Sequence, residues 1–142
     1  MGSALGITIV WTEIIKRSVR SMRICVDLDG TICTTKTPEQ SYEDVTPLPG
    51  AVDTLEFLKQ RGYYIVIHTA RNMRCCNNNL GRVIKNQAKL VVDWLEKYRI
   101  PYDELLFGKP HVDYFIDDKG LTFTAWDDIR EKLLILEENK NV

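Results

Sequence analysis

Short apolar runs alternate with stretches of helical period along this chain, and that alternation limits its fold more than any other feature. "RICVDL" (23–28), "YYIVIH" (63–68), "DELLF" (103–107) and "VDYFI" (112–116) read as strands. "PGAVDTLEFLKQRG" (49–62), "RVIKNQAKLVVDWLEKY" (82–98) and "TAWDDIREKLLILEE" (124–138) read as helices. In the first helix Pro49 suits the opening turn, Gly62 suits the stop, and Ala51, Val52, Leu55 and Leu58 make an apolar face. In the second, Ile84, Ala88, Val91, Leu95 and Tyr98 recur at intervals of 4, 3, 4 and 3. Thr124 is placed to cap the third, with Asp127 in the capping-box position. Strands that alternate with helices build an α/β fold with a parallel sheet, and buried strands of such sheets are continuously apolar.

A chain of 142 residues, 44% hydrophobic and 27% charged, fits one ordinary soluble domain. A net charge near −1 gives no global basic field for nucleic acid, which leaves a local groove open but not favoured. Cys25, Cys33, Cys75 and Cys76 have neither the number nor the spacing of a disulfide framework or a zinc site. Four reduced thiols point to a cytoplasmic compartment. Residues 1–21 read as an N-terminal extension outside the core, with the domain over 22–142 and Met22 as an internal start. The apolar "ALGITIVW" is only eight residues long, too short to span a bilayer, and has no signal-peptide flanks. An added edge strand or an interface helix is the alternative for this segment.

The strand ends carry the chemistry. Asp27 closes the first strand pattern, with Asp29 one residue beyond, and Asp117 and Asp118 close the last. Ligands of open α/β sheets bind outside the carboxyl ends of strands. With the first and fourth strands as neighbours, all four carboxylates converge. Such a cluster needs a cation, and oxygen ligation favours Mg²⁺. A bend at Gly30 would lift Asp29 above the strand end. One carboxylate could then attack phosphorus while the other moves a proton. Thr69 in "HTAR" can donate to a phosphoryl oxygen, and Lys109 in "GKP" can neutralise nucleophile and phosphate. Lys85 is a fallback for Lys109. His68 reads as a structural histidine and Lys36 as a solvent-facing lysine, and "NNNLGR" (77–82) as a turn or part of the substrate mouth.

"DLDGT", Thr69, Lys109 and "IDD" (116–118), in this order and at strand ends, resemble the four motifs of the haloacid dehalogenase (HAD) superfamily. The resemblance covers roughly residues 22–125. The wider text "TPLPGAVDTLEFLKQRGYYIVIHTARNMR" with "GKPHVDYFIDDKG" is similar to a branch of capsule-biosynthesis phosphatases. The resemblance implies a Rossmann-like three-layer sandwich with a central, mainly parallel sheet. It implies Asp27 as nucleophile and Asp29 as general acid and then base. Asp27, Asp29 (through its backbone carbonyl), Asp117 and Asp118 would surround Mg²⁺, and Thr69 and Lys109 would hold the phosphoryl group. Only seven residues separate Lys109 from Asp117, fewer than in many relatives, which leaves the strand order there open.

Between Asp29 and Thr69 lie 39 residues, as between Thr69 and Lys109, and each interval already holds a helix and a strand. Neither has room for a folded cap, so the expected site is open, covered by loops 31–47 and 72–81 or by a second subunit of a homo-oligomer. Arg71 and Arg74 are the candidates for contacting a second anionic part of the substrate. The expected activity is that of a Mg²⁺-dependent phosphomonoesterase acting on a small phosphorylated metabolite such as a sugar phosphate. A nucleic-acid end phosphatase, a protein phosphatase and a non-catalytic binding protein are the competing classes, in that order. No membrane association is expected.

Overall fold

The computed structural model describes residues 22–140. The extension read at 1–21 lies outside them. Three parallel strands, β1 (Arg23–Asp27), β2 (Tyr64–Thr69) and β3 (Glu104–Phe107), form a sheet in the order β1-β2-β3. Helix α1 (Ala51–Gln60) links β1 to β2, α2 (Leu80–Lys97) links β2 to β3, and α3 (Trp126–Lys140) follows. This is an α/β, Rossmann-like arrangement around a parallel sheet. No described helix is long and apolar enough to cross a membrane.

One face of the sheet builds the core. Val26, Ile65 and Ile67 pack with Leu55 and Leu58 of α1, Val91, Trp94 and Leu95 of α2, and Trp126, Ile129 and Leu133 of α3. On the other face Arg23, Tyr64 and Glu104 form a polar ladder across the three strands. The Arg23 guanidinium lies 4.0 Å over the Tyr64 ring, and the Tyr64 hydroxyl donates to Glu104 at 2.9 Å. All the described helices thus serve one face, which is why β1 reads apolar yet exposes Arg23 and Cys25. Leu55 is fully buried. Leu55→Ala is expected to cost about 3 kcal/mol of stability, read as a lower urea midpoint with an unchanged slope.

Three expectations need correction. The strand at 112–116 does not form; residues 108–125 have no regular structure, and Tyr114, Phe115 and Ile116 are exposed. The buried stripe of α2 runs through Val83, Gln87, Val91, Trp94 and Leu95, whereas Ile84 faces solvent. Gln87 is a polar residue in a core position, which turned the sequence pattern onto its neighbours. That helix also starts at Leu80, because the Asn79 side chain caps it by accepting from Arg82 N at 3.1 Å. At α3, Thr124 donates to Asp128 rather than forming a capping box with Asp127. Gly62 does end the chain's turn out of α1, at φ 86°, a left-handed conformation natural to glycine.

The loop 31–47, polar in sequence, is half core. Ile32, Cys33 and Val45 are fully buried. Two indoles fasten it: Trp126 Nε1 donates to Thr31 O and Trp94 Nε1 to Val45 O, both at 2.8 Å. These bonds satisfy backbone carbonyls that burial would otherwise leave unpaired.

Candidate active site

The carboxyl ends of β1, β2 and β3 meet at one edge of the molecule. Asp27 is the last residue of β1 and pairs in register with His68 of β2. Beyond it the chain turns at once. Thr31, Ile32 and Cys33 all donate their N–H to Leu28 O, and Gly30 sits at φ 83°. A residue with a Cβ would be strained there, so Gly30 permits the turn that brings Asp29 back over the strand end. Asp27 and Asp29 both line a cavity of about 320 Å³. The anchored loop supplies Thr35, Lys36 and Tyr42 to its wall, and the loop after β2 supplies Asn72, Arg74 and Cys75. Asn72, Asn77 and Asn78 adopt positive φ in that second loop, which explains its run of asparagines.

Each carboxylate has its own cation. Lys109 Nζ lies 3.1 Å from Asp27 Oδ1. The backbone places it, since Lys109 N donates to Thr69 O at 3.1 Å and so ties the third loop to the end of β2. Lys85, the fallback, is exposed on α2 and does not line the cavity. Arg71 grips Asp29 with both arms of its guanidinium, Nη2 to Oδ1 at 2.7 Å and Nε to Oδ2 at 3.1 Å. The Tyr42 ring stacks on that guanidinium at 4.2 Å, and the Arg71 side chain is only 1% exposed. A two-pronged, nearly buried pair of this kind fixes the carboxylate's orientation as well as its charge. Cys33 completes the shell, its Sγ 3.6 Å from Asp29 Oδ1. Burial, with Asp29 adding to it, pushes the Cys33 thiol up to about 12, so it stays a neutral donor.

The remaining candidates are placed differently from their sequence roles. Thr69 is 1% exposed, and its Oγ1 accepts from Arg71 N at 3.1 Å. It shapes the turn that carries Arg71 and does not line the cavity. Arg71 is bound to Asp29 and is not free to meet a substrate anion. Arg74 is exposed and does line the cavity. Half-buried His68 has its pKa lowered, by burial first and then by the Lys109 charge, with Asp27 opposing. It stands beside the site, in register with Asp27. His111, which lines the cavity, escaped the sequence reading, as did Tyr42 and Cys33. The latter two sit in the turn-rich loop, and no spacing rule marks them.

The four carboxylates do not converge. Asp117 and Asp118 are exposed, and Asp117 Oδ1 accepts from Lys119 N at 2.8 Å within its own turn. Among the described residues no three His, Cys, Asp or Glu side chains are grouped to hold a metal ion. The cause is the unformed fourth strand: without it nothing brings residue 117 to the end of β1. As arranged, Asp27 and Asp29 are paired with Lys109 and Arg71, and a Mg²⁺ ion here would be held by these two carboxylates together with water and the substrate phosphate.

No family model matches the chain, and no curated protein matches it. Among solved structures, a structural-genomics target from Vibrio cholerae is 32% identical, over 84% of this chain and 98% of that one, with a TM-score of 0.70. A chain of the Pnkp1/Rnl/Hen1 RNA repair complex is 26% identical over 85% of this chain and 32% of its own length. Its TM-score is 0.46.

Proposed function

The chain belongs to the same family as the Vibrio cholerae protein, and from the motif resemblance and the strand-end geometry we propose that it is a phosphomonoesterase of the HAD type without a cap. The observation that carries this reading is the pairing of the Asp27 carboxylate with Lys109 Nζ at 3.1 Å, at a strand end beside an open cavity. In the proposed reaction an Asp27 oxygen attacks phosphorus in line. The bond from phosphorus to the ester oxygen breaks, and Asp29, which enters this step as the neutral acid, gives that oxygen its proton and is left as the carboxylate paired with Arg71. Water, deprotonated in turn by Asp29, then releases phosphate from the aspartyl-phosphate. Lys109 offsets the negative charge that gathers on the transferring group. Arg71 orients Asp29 through its two-pronged grip. The cavity volume stands at the lower end of the range for small-molecule sites, which supports a small phosphorylated metabolite, such as a sugar phosphate, as substrate.

No step here runs through a metal. A dianionic phosphate beside Asp27 nevertheless leaves more negative charge than Lys109 alone offsets, so a Mg²⁺ requirement remains part of the proposal. The test is phosphate release from a panel of sugar phosphates, nucleotides, phosphopeptides and phosphorylated oligonucleotides, with and without EDTA. Sugar phosphates are expected to turn over best, with activity lost in EDTA and restored by Mg²⁺. Inertness toward the whole panel would overturn the hydrolase reading. Full activity in excess EDTA would remove the metal from it.

A further inference from the structure

The charges lining the cavity are unevenly matched. Asp27 is neutralised by Lys109, and Asp29 by Arg71. The wall carries two more cations, Lys36 and Arg74. Among the described residues neither has a carboxylate within 4.0 Å. Lys36 is half-buried, its Nζ 5.4 Å from the centre of the Tyr42 ring, whereas Arg74 reaches the wall from the opposite loop. Two like charges facing one small cavity repel each other, and that repulsion is relieved when an anion enters between them. The phosphoryl group to be transferred belongs at Asp27 and has Lys109 beside it. Lys36 and Arg74 come from other loops than Lys109 and make no ion pair with Asp27, which places them to receive a second group.

We infer that Lys36 and Arg74 form a second-anion subsite, and that the natural ligand is a small molecule with two anionic groups, a phosphate ester that also carries a carboxylate or a second phosphate. This rests on the phosphatase reading for the identity of the first group. It reassigns the role expected of Arg71, which is held by Asp29, to Lys36. Tyr42 takes part as the apolar wall between the two ends: Arg71 stacks on its ring, and Lys36 lies against it.

Phosphonates test this without turnover, because their P–C bond does not hydrolyse. Binding of α,ω-bisphosphonates of two to six carbons and of 3-phosphonopropionate is measured by calorimetry against propylphosphonate. At low salt the best bis-anion is expected to bind at least about tenfold tighter than propylphosphonate, and the margin is expected to shrink as salt rises. In the Lys36→Ala/Arg74→Ala protein that ratio should fall close to one. In Lys36→Arg/Arg74→Lys it should survive, which separates charge from any change in loop structure. An unchanged ratio in the double alanine protein, or no preference in the parent, would overturn the subsite. Tighter binding of a 3′-phosphorylated oligonucleotide than of every small bis-anion would overturn the choice of a small ligand. A retained bis-anion preference in a protein that releases phosphate from no ester would sink the hydrolase reading and leave the subsite standing.

Discussion

Asp27→Asn is expected to lower kcat by about 10⁴-fold or more and to eliminate the covalent phosphoenzyme. The amide is nearly the same size, so the backbone at the end of β1 should not move. Its oxygen is a poor nucleophile, and it cannot balance the Lys109 ammonium 3.1 Å away. Binding of inorganic phosphate should therefore be retained or tightened, since a carboxylate that repels the anion has gone while its lysine remains. Acid quenching after a brief pulse of labelled substrate reads the covalent species directly. Labelled protein or near-normal turnover from Asp27→Asn would show that another group attacks phosphorus.

Asp29→Asn is expected to slow turnover by about 10²–10⁴-fold, the usual range for a lost general acid and base. One limb of the pH–rate profile should flatten with it. Arg71→Lys separates orientation from charge at the same place. A lysine keeps the positive charge but cannot reproduce the bonds of Nη2 and Nε to the two oxygens of Asp29. An Arg71→Lys protein is expected to lose about 10- to 100-fold in kcat with little change in KM, because Arg71 acts on substrate only through Asp29. A KM that rises at constant kcat would instead make Arg71 a substrate contact, as its sequence position had suggested. Arg71→Ala is a poorer probe. It empties a nearly buried site and leaves Asp29 unpaired, at a stability cost of about 3 kcal/mol.

The α/β class and the strands β1, β2 and β3 were legible because short apolar runs alternate with stretches of helical period, although only one face of the sheet is covered. Asp27, Asp29 and Lys109 were legible because they follow those runs at strand ends, where position in the chain fixes position in space. The "VDYFI" run shows the limit of the same signal. A short apolar run reports what a segment can do, whereas joining a sheet depends on a partner edge that the local text does not encode. Arg71 failed for a different reason. An arginine in a polar loop reads as free to meet a substrate anion, and only the turn at Gly30, the Thr69 hydroxyl and the Tyr42 ring together show it to be buried on Asp29. Gln87 is the mirror case, a polar residue in a core stripe that shifted the helix reading by one position.

The two indole bonds to Thr31 and Val45 decide how the cavity wall behaves in time. Their donors sit on α2 and α3, so the segment bearing Lys36 and Tyr42 cannot swing out without disturbing the packing of both helices. The bonded amides at its two ends, Thr34 N on Thr46 O and Leu48 N on Ile32 O, are expected to exchange with solvent hydrogens only when that packing opens. A wall of this kind acts as a rigid template rather than a lid. Ligand entry costs little ordering entropy at this side. New selectivity among descendants of this chain would then arise by exchanging side chains at positions 35, 36 and 42, with the backbone path between the two tryptophan anchors left as it is.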